Sequence, residues 1–513
     1  MSAIPSGVVN RELEDIQRHP TQINGEKMNL EKRSHWLIVV LVVVAVAFPL
    51  YYFLPRDAGL LDDPWSYVVG RPYHTDHASL ISGPFEDGPA VTRACLECHE
   101  NEANEIGVTP HFRWEGDPVT IPGREEQIRL GKQNIINNFC ISIQSNWVGC
   151  TSCHAGYGWE DDSYDHSDHS NVDCLVCHDQ SGQYVKQAGG YPAPGVDLVL
   201  AAQSVASPTR NNCGGCHFRG GGGDAVKHGD LDATLSNPRP RVDVHMGTYD
   251  LACVDCHRTV DHDIRGRALS VSVDTSNQVQ CTDCHSAAPH LDDRINSHLS
   301  AVACETCHIP RVALREATKT HWDWSAAGQD LPESTHEYLK IKGRFEYEQL
   351  LIPEYYWFNE TSGRYLLGDE IDPSGPTVLN PPQGDINDPT AKIRPFKVHR
   401  ATQIYDTVNR YLLVPKTVGE GGYWADFDWD QAARLGSEAT GLPYSGSHGF
   451  AETEMYWPLS HMVQPGDKSL QCRDCHGEGG RMDWQRLGYP GDPIDWGARD
   501  VNTVIASTSG GVQ

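Results

Sequence analysis

The chain has 513 residues, of which 39% are hydrophobic and 21% are charged, and its formal net charge is −28. This acidic balance excludes a nucleic-acid partner, because phosphate backbones bind basic surfaces. The length allows two to four domains, and 13 Trp among so few charged residues exclude an acidic disordered chain.

The first element along the chain is an apolar segment, Trp36 to Leu54, which contains no charged side chain. At about 1.5 Å per residue it nearly spans a hydrocarbon core of about 30 Å. Lys32 and Arg33 precede it, so the positive-inside rule predicts that residues 1–35 lie in the cytoplasm. We therefore expect a single-pass transmembrane anchor over residues 36–54, with the remainder on the periplasmic side of the cytoplasmic membrane.

A cleaved signal peptide is the alternative interpretation of the same segment. Ala45-Val46-Ala47 resembles a cleavage site, but both the apolar run and the stretch before it are long for a signal peptide. Either interpretation places the body of the chain outside the cytoplasm.

Cysteine usage is the most informative feature of the sequence, because sixteen of the 17 Cys fall in eight copies of Cys-x-x-Cys-His. Two thiols three positions apart match the two vinyl groups of one haem, and the adjacent His supplies a ligand to its iron. Zinc sites and redox dithiols also use Cys-x-x-Cys but do not require a His after every second Cys. The motifs predict eight covalently attached c-type haems, held by Cys95, Cys98, His99, Cys150, Cys153, His154, Cys174, Cys177, His178, Cys213, Cys216, His217, Cys253, Cys256, His257, Cys281, Cys284, His285, Cys304, Cys307, His308, Cys472, Cys475 and His476.

The positions of the motifs divide the body of the chain. Seven of them predict a haem-dense region over residues 57–310, and the eighth closes a haem-poor wrapping region over residues 311–500. The small, polar tail 501–513 is predicted to be disordered. We expect a mainly α, loop-rich multihaem cytochrome fold with a haem-packed core, since few segments show sustained periodicity. Apolar runs such as Tyr355–Phe358 are predicted to form loops and short helices around the haems.

The remaining histidines predict the second iron ligands. After the apolar segment there are only four Met but fifteen His outside the motifs, so most haems are expected to be bis-His, which favours low potential over Met/His ligation. A surface or hydrogen-bonded histidine remains the alternative for each of them. Spacing relative to the motifs selects His245, His262, His290, His298 and His461, and His111 and His399 complete a list of seven candidates.

Cys140 has no partner once the haems have taken sixteen thiols. It is either a small buried apolar residue or a nucleophile toward sulfur–sulfur bonds. Gly220 to Gly223 precede Asp224 and Lys227, and these glycines allow the backbone to approach a flat cofactor closely. A neutral Lys227 amine would be able to bind iron, whereas a surface Lys–Asp pair is the ordinary interpretation of these two residues.

These residues resemble the octahaem tetrathionate reductase family of c-type cytochromes. The resemblance covers nearly everything after the apolar segment, including Asn137–Trp159, Val172–Asp179, Cys213–Asp232, Cys281–Pro310, Lys392–Arg400 and Glu452–Met462. It implies that Lys227 replaces the second histidine at the haem of Cys150, Cys153 and His154. It also implies that Cys140 and Asp224 lie beside that haem and that the other seven irons are bis-His. Family members are often soluble periplasmic proteins, from which the apolar segment departs.

The resemblance implies an oxidoreductase that reduces tetrathionate, a small inorganic substrate, to thiosulfate, with Cys140, Asp224 and Lys227 as catalytic residues. Reduction of nitrite or hydroxylamine at the same haem is an alternative, as is an electron-transfer conduit without a substrate. Expected partners are the membrane, through the N-terminal helix, and an electron donor. That donor is either a quinol-oxidising membrane protein or a small cytochrome.

Overall fold

The structure is a computed structural model, and it describes residues 30–53, 64–71, 73–266, 270–273 and 277–499. The chain divides into two compact units, Met1–Asp63 and Pro64–Gln513. Most of the predicted cytoplasmic segment 1–35 and the whole of the predicted tail 501–513 lie outside the described residues.

The first unit contains one helix, α1, over Leu30–Phe53. Side chains are described for residues 35–46 of this helix. No helix among the described residues has both the length and the apolar character needed to cross a membrane. The predicted single-pass anchor over residues 36–54 is therefore wrong, and so is the placement of the chain at the membrane that depended on it.

The second unit combines short helices with strands. Its helices are α2 Gly88–Leu96, α3 Glu102–Gly107, α4 Pro110–Arg113, α5 Trp147–Cys150, α6 Leu175–His178, α7 Leu198–Gln203, α8 Arg210–His217, α9 Val244–Thr248, α10 Cys253–Cys256, α11 Asp293–His298, α12 Cys304–His308, α13 Tyr423–Asp426, α14 Trp429–Thr440, α15 Cys472–Cys475 and α16 Pro493–Trp496. Its strands are β1 Glu115–Thr120, β2 Gln127–Gly131, β3 Thr259–Val260, β4 Asp263–Ile264, β5 Thr318–Asp323, β6 Tyr338–Leu339, β7 Gly343–Glu348, β8 Glu354–Phe358, β9 Thr377–Val378, β10 Lys392–Asp406 and β11 His448–Pro458.

Short helices carry many of the Cys-x-x-Cys-His motifs, including α8, α10, α12 and α15. One helical turn brings residues three positions apart to the same side, as two bonds to one haem require. In three motifs an aspartate directly before the second Cys closes the turn. Asp255, Asp283 and Asp474 accept the backbone N–H of the residue before the first Cys at 2.7, 2.9 and 2.7 Å, which caps the helix start.

A seven-stranded mixed sheet organises the haem-poor region. The strand order is β6-β7-β5-β10-β11-β9, and β8 also pairs with β10. The fifteen-residue β10 is the centre of the sheet. It runs antiparallel to β11, from the pair Phe396 and Pro458 to the pair Asp406 and His448, and parallel to β5.

This sheet shows that the mainly α prediction is wrong, since the chain has 28% helix and 17% strand. The predicted loop at Tyr355–Phe358 is strand β8. Aromatic residues favour strands because their side chains pack well on a half-buried pleated surface. The expectation of a multihaem cytochrome fold is supported.

Two large clusters of buried side chains lie around the sheet. One contains Phe139 and Trp457, and the other contains Trp322 and Ile404. The half-buried Cys140 packs against both clusters. The segment that carries the unpaired cysteine is therefore held against the sheet.

Candidate functional site

Seven of the eight motif histidines each face a second histidine ring. The distances between ring centroids are narrowly distributed, from 6.1 to 6.5 Å. The pairs are His77–His99, His111–His217, His178–His262, His245–His285, His257–His461, His290–His308 and His298–His476. An iron between two imidazoles needs two metal–nitrogen bonds of about 2 Å plus about 1 Å from each nitrogen to its ring centre, so these pairs fit a bis-His haem.

The second nitrogen of several of these rings is already bound to the protein. Nδ1 of His178 donates to the carbonyl of Ala206 at 2.9 Å, and Nδ1 of His298 donates to that of Arg294 at 2.8 Å. Nδ1 of His476 donates to the Asp492 carboxylate at 2.6 Å. Such a bond fixes the ring and leaves Nε2 for a metal, which is the usual arrangement of histidine ligands.

Six of the seven candidate second ligands lie opposite a motif histidine: His111, His245, His262, His290, His298 and His461. The structure places the seventh, His399, elsewhere: it is fully buried on β10, and neither of its ring nitrogens has a partner among the described residues. His77, which the sequence interpretation missed, faces His99 instead. A signal was present, because His74 and His77 are the only histidines that lie between the apolar segment and the first motif.

His154 is the one motif histidine that faces no second histidine in these pairs within the described part of the chain. It packs among aromatic rings, with Trp159 at 4.6 Å and Phe112 at 5.1 Å between ring centroids. Its Nε2 bonds to the Phe112 carbonyl, and its buried Nδ1 has no partner in the described residues. Burial lowers the pKa of His154 to about 3, so the ring is neutral, as an iron ligand must be.

Lys227 follows the glycine-rich loop and lies among aromatic side chains. Gly221 and Gly222 both have φ of +87°, a backbone conformation that favours glycine. Nζ of Lys227 is 4.6 Å from the ring centroid of Trp457 and 5.7 Å from that of Phe139. Burial, together with the charge of Lys132, lowers the pKa of Lys227 to about 7. A large fraction of the amine is therefore neutral near pH 7, which iron ligation requires.

Lys397 of β10 holds the backbone of this loop. Its fully buried ammonium donates to the carbonyls of Val226 and Lys227 at 2.8 and 3.2 Å and to Oγ1 of Thr318 at 2.5 Å. Thr318 of β5 in turn donates to the carbonyl of Ala225 at 2.7 Å. Two strands of the sheet thereby fix the loop that carries Lys227.

Cys140 lies between a haem-binding motif and a buried lysine. The charge of its thiol acts on Cys150 of the second motif and on Lys319 of β5. Nζ of Lys319 donates to the carbonyl of Phe139 at 2.7 Å. The backbone N–H of Cys140 donates to the Asn137 side chain at 2.8 Å. These bonds hold the segment of Cys140 against β5, with its thiol near the second motif.

Asp224 directly follows the four glycines of the loop that carries Lys227. Its Oδ1 accepts the backbone N–H of Ala233 at 2.9 Å, and its charge, together with burial, raises the pKa of Asp232 to about 6. The structure thus places Asp224 as a brace between the glycine-rich loop and the segment that follows Lys227.

Cysteines of different motifs adjoin one another throughout the haem-dense region. The neighbouring thiols that act on each other are Cys95 with Cys174, Cys153 with Cys216, Cys213 with Cys253, and Cys281 with Cys304. Cys307 also lies near Cys475 of the last motif. These neighbours group the first motif with the third, the second with the fourth and fifth, and the sixth with the seventh and eighth. Cys177 near Cys213 and Cys284 near Cys256 link the three groups, as expected for electron transfer between haems.

Comparisons with known proteins agree with this arrangement. The family described as bacterial cytochrome c matches residues 319–479, and the family described as cytochrome c7 and related cytochrome c matches residues 239–309. The chain is similar to the crystal structure of octaheme cytochrome c from Shewanella oneidensis, with 46% sequence identity and a TM-score of 0.78. The match covers 82% of this chain and 98% of that one. Among curated proteins there is no significant match. The chain belongs to the octahaem cytochrome c family and carries eight covalently attached c-type haems.

Proposed function

We propose that this cytochrome reduces tetrathionate to two thiosulfates at the haem bound through Cys150 and Cys153. The observation that carries the proposal is the position of Cys140, the single cysteine outside the haem motifs. Its thiol lies beside Cys150 and the buried Lys319, near the one motif whose histidine, His154, faces no second histidine in the pairs above. A conduit for electrons alone would give this thiol no chemical task.

The proposed reaction has two steps, and neither needs a proton. In the first step the Cys140 thiolate attacks one of the two central sulfur atoms of tetrathionate. A bond forms between Sγ and that sulfur, the central S–S bond breaks, and its electron pair leaves with the first thiosulfate dianion. The enzyme then holds a Cys–S–S–SO₃⁻ adduct. In the second step two electrons break the new Sγ–S bond, which regenerates the thiolate and releases the second thiosulfate.

The haems supply these two electrons, one at a time, when they are bound. Lys227 is proposed as the second ligand at the haem of His154, since burial among aromatic rings lowers the pKa of its amine to about 7 and leaves a large fraction of it neutral near pH 7. Asp224 keeps the loop in place through its bond to Ala233. Trp457 and Phe139 exclude water from the amine.

Turnover with an artificial electron donor tests the proposal. The purified holoprotein is reduced, supplied with tetrathionate, and assayed for thiosulfate. We expect two thiosulfates for each pair of electrons consumed. Consumption of electrons without thiosulfate, or no consumption while hydroxylamine is still reduced, would exclude tetrathionate as the substrate.

A further inference from the structure

Two buried lysines lie near Cys140: the Asp230 carboxylate acts on Lys397, and the charge of Cys140 itself acts on Lys319. Lys319 and Lys397 are almost wholly buried, with 3% and 0% of their surfaces exposed. Neither forms an ion pair within 4 Å in the described residues. Burial lowers the pKa of both side chains, which measures the cost of placing a cation there. An anion that enters this region would offset that cost.

Two polar groups in this region have unused hydrogen-bonding capacity. One N–H of Lys319 goes to the Phe139 carbonyl. The ammonium also lies 4.0 Å from the ring centroid of Trp322, and the described residues provide no hydrogen-bond acceptor for its other two N–H groups. His399 is 0% exposed, yet both ring nitrogens lack a partner within the described part of the chain. A buried polar group without a partner is destabilising, so a ligand that accepts its hydrogen bond would relieve that cost.

The backbone contacts bring these two side chains to the unpaired thiol. The amide of Asn138 donates to the carbonyl of His399 at 2.7 Å, and Lys319 donates to the carbonyl of Phe139 at 2.7 Å. The segment that ends in Cys140 is thereby tied to β10 and to β5. Strands β5 and β10 pair next to these residues, with Arg400 opposite His321, so the two strands that carry Lys319 and His399 are neighbours, and the charge of Lys319 acts on His399.

We propose that Lys319 and His399 form an oxyanion subsite beside Cys140, which holds the terminal sulfonate of the sulfur compound that the thiol attacks. An ammonium and an imidazole N–H are suitable donors for sulfonate oxygens. Binding one sulfonate at this position directs a neighbouring sulfur atom toward Sγ of Cys140. The subsite adds a substrate-binding element to the proposed tetrathionate reduction. The identity of its substrate rests on that proposed function.

Alkylation of Cys140 tests the subsite without any turnover. The other sixteen cysteines are bound to haem, so reagents label this thiol selectively in the holoprotein. Iodoacetate carries a negative charge and iodoacetamide does not, while both react with the same thiolate. The ratio of their rates therefore reports how strongly the site attracts an anion, and it does not depend on the fraction of the thiol that is ionised. We expect a ratio about tenfold above that of a small free thiol.

Lys319→Met is expected to remove most of this preference, and His399→Gln part of it. Lys340→Met is the matched control, because Lys340 pairs with Asp330 at 2.6 Å on the surface. Its ratio should stay within about twofold of wild type. An unchanged ratio in Lys319→Met with eight haems still attached would overturn the subsite, and so would a wild-type ratio equal to that of the small thiol.

A second measurement needs no variant and holds even where Lys319→Met fails to fold. Sulfate at constant ionic strength should slow iodoacetate labelling of the wild-type protein in a saturable way, whereas chloride should not. Equal effects of sulfate and chloride would refute the subsite. Normal tetrathionate turnover without an anion preference would exclude the subsite alone. A clear preference without turnover would exclude the proposed function and leave an oxyanion site.

Discussion

The ring of His77 faces the ring of His99 at 6.2 Å between centroids, with 24° between the two planes. Nδ1 of His77 donates to the Thr75 carbonyl at 2.7 Å, so its Nε2 remains available to an iron between the two rings. The segment before the first helix of the body therefore supplies the histidine opposite the first motif. His399, in contrast, is fully buried on β10 and faces no motif histidine in these pairs.

Of the two variants His77→Ala and His399→Ala, only the first should therefore change the ligation of a haem. Loss of His77 removes one iron ligand, so one haem should become high-spin or bind added imidazole. His399→Ala should leave every haem low-spin, because no iron depends on it. Electron paramagnetic resonance of the oxidised proteins distinguishes the two. A high-spin haem in His399→Ala and none in His77→Ala would reverse the assignment.

Lys227→Ala should change the spectrum of a single haem. The bis-His pairs do not include the second motif, so the other seven haems should retain their low-spin signals. The exposed Lys340 provides the control substitution, Lys340→Ala, which should leave all signals as in wild type. Magnetic circular dichroism measures the number of haems that change. An unaltered spectrum in Lys227→Ala would show that this amine does not bind iron.

Lys397→Met tests whether the sheet positions the Lys227 loop. Methionine has a similar length but donates no hydrogen bond, so the carbonyls of Val226 and Lys227 lose their partner. We expect a partial conversion of the same haem that Lys227→Ala alters, with a total haem content of eight. Lys392→Met on the exposed start of β10 is the control. Identical haem spectra in the two variants would contradict a positioning role.

Ile404→Ala should destabilise the body by about 2–5 kcal/mol, because it opens a cavity beneath β10. Ile404 is fully buried, whereas Val408 just beyond the strand is 68% exposed. Val408→Ala should therefore change stability by less than about 0.5 kcal/mol. Thermal unfolding followed by far-ultraviolet circular dichroism compares the two. Equal midpoints would mean that the sheet does not form the core of this region.

The haem content and the family could be predicted from the sequence, because Cys-x-x-Cys-His is a local pattern that specifies its own chemistry. The central sheet could not. Strand β10 is buried on both faces over much of its length, so it lacks the alternation by which a strand is recognised. Its parallel partner β5 lies about 80 residues earlier in the chain, a pairing that no local pattern encodes.

In the candidate site, too, residues near the motifs in sequence could be predicted, whereas residues placed by strand pairing could not. The sequence interpretation selected six histidines that the structure places opposite motif histidines; five lie in the haem-dense region, and His461 lies shortly before the last motif. It missed His77 and selected His399, whose position depends on the unpredicted sheet. Lys319 and Lys397 were missed for the same reason: only the pairing of β5 with β10 brings Lys397 to the loop of Lys227 and Lys319 to the segment of Cys140.

The most direct test of the central claim compares two substrates in Cys140→Ser. Serine preserves size and haem ligation but is a poor nucleophile at neutral pH. We predict that thiosulfate formation from tetrathionate falls by at least about a hundredfold, a barrier increase of about 2.7 kcal/mol. Hydroxylamine reduction, which needs no thiol, should stay within about threefold of wild type. Tetrathionate reduction within about twofold of wild type would show that Cys140 is structural and would contradict the proposed mechanism.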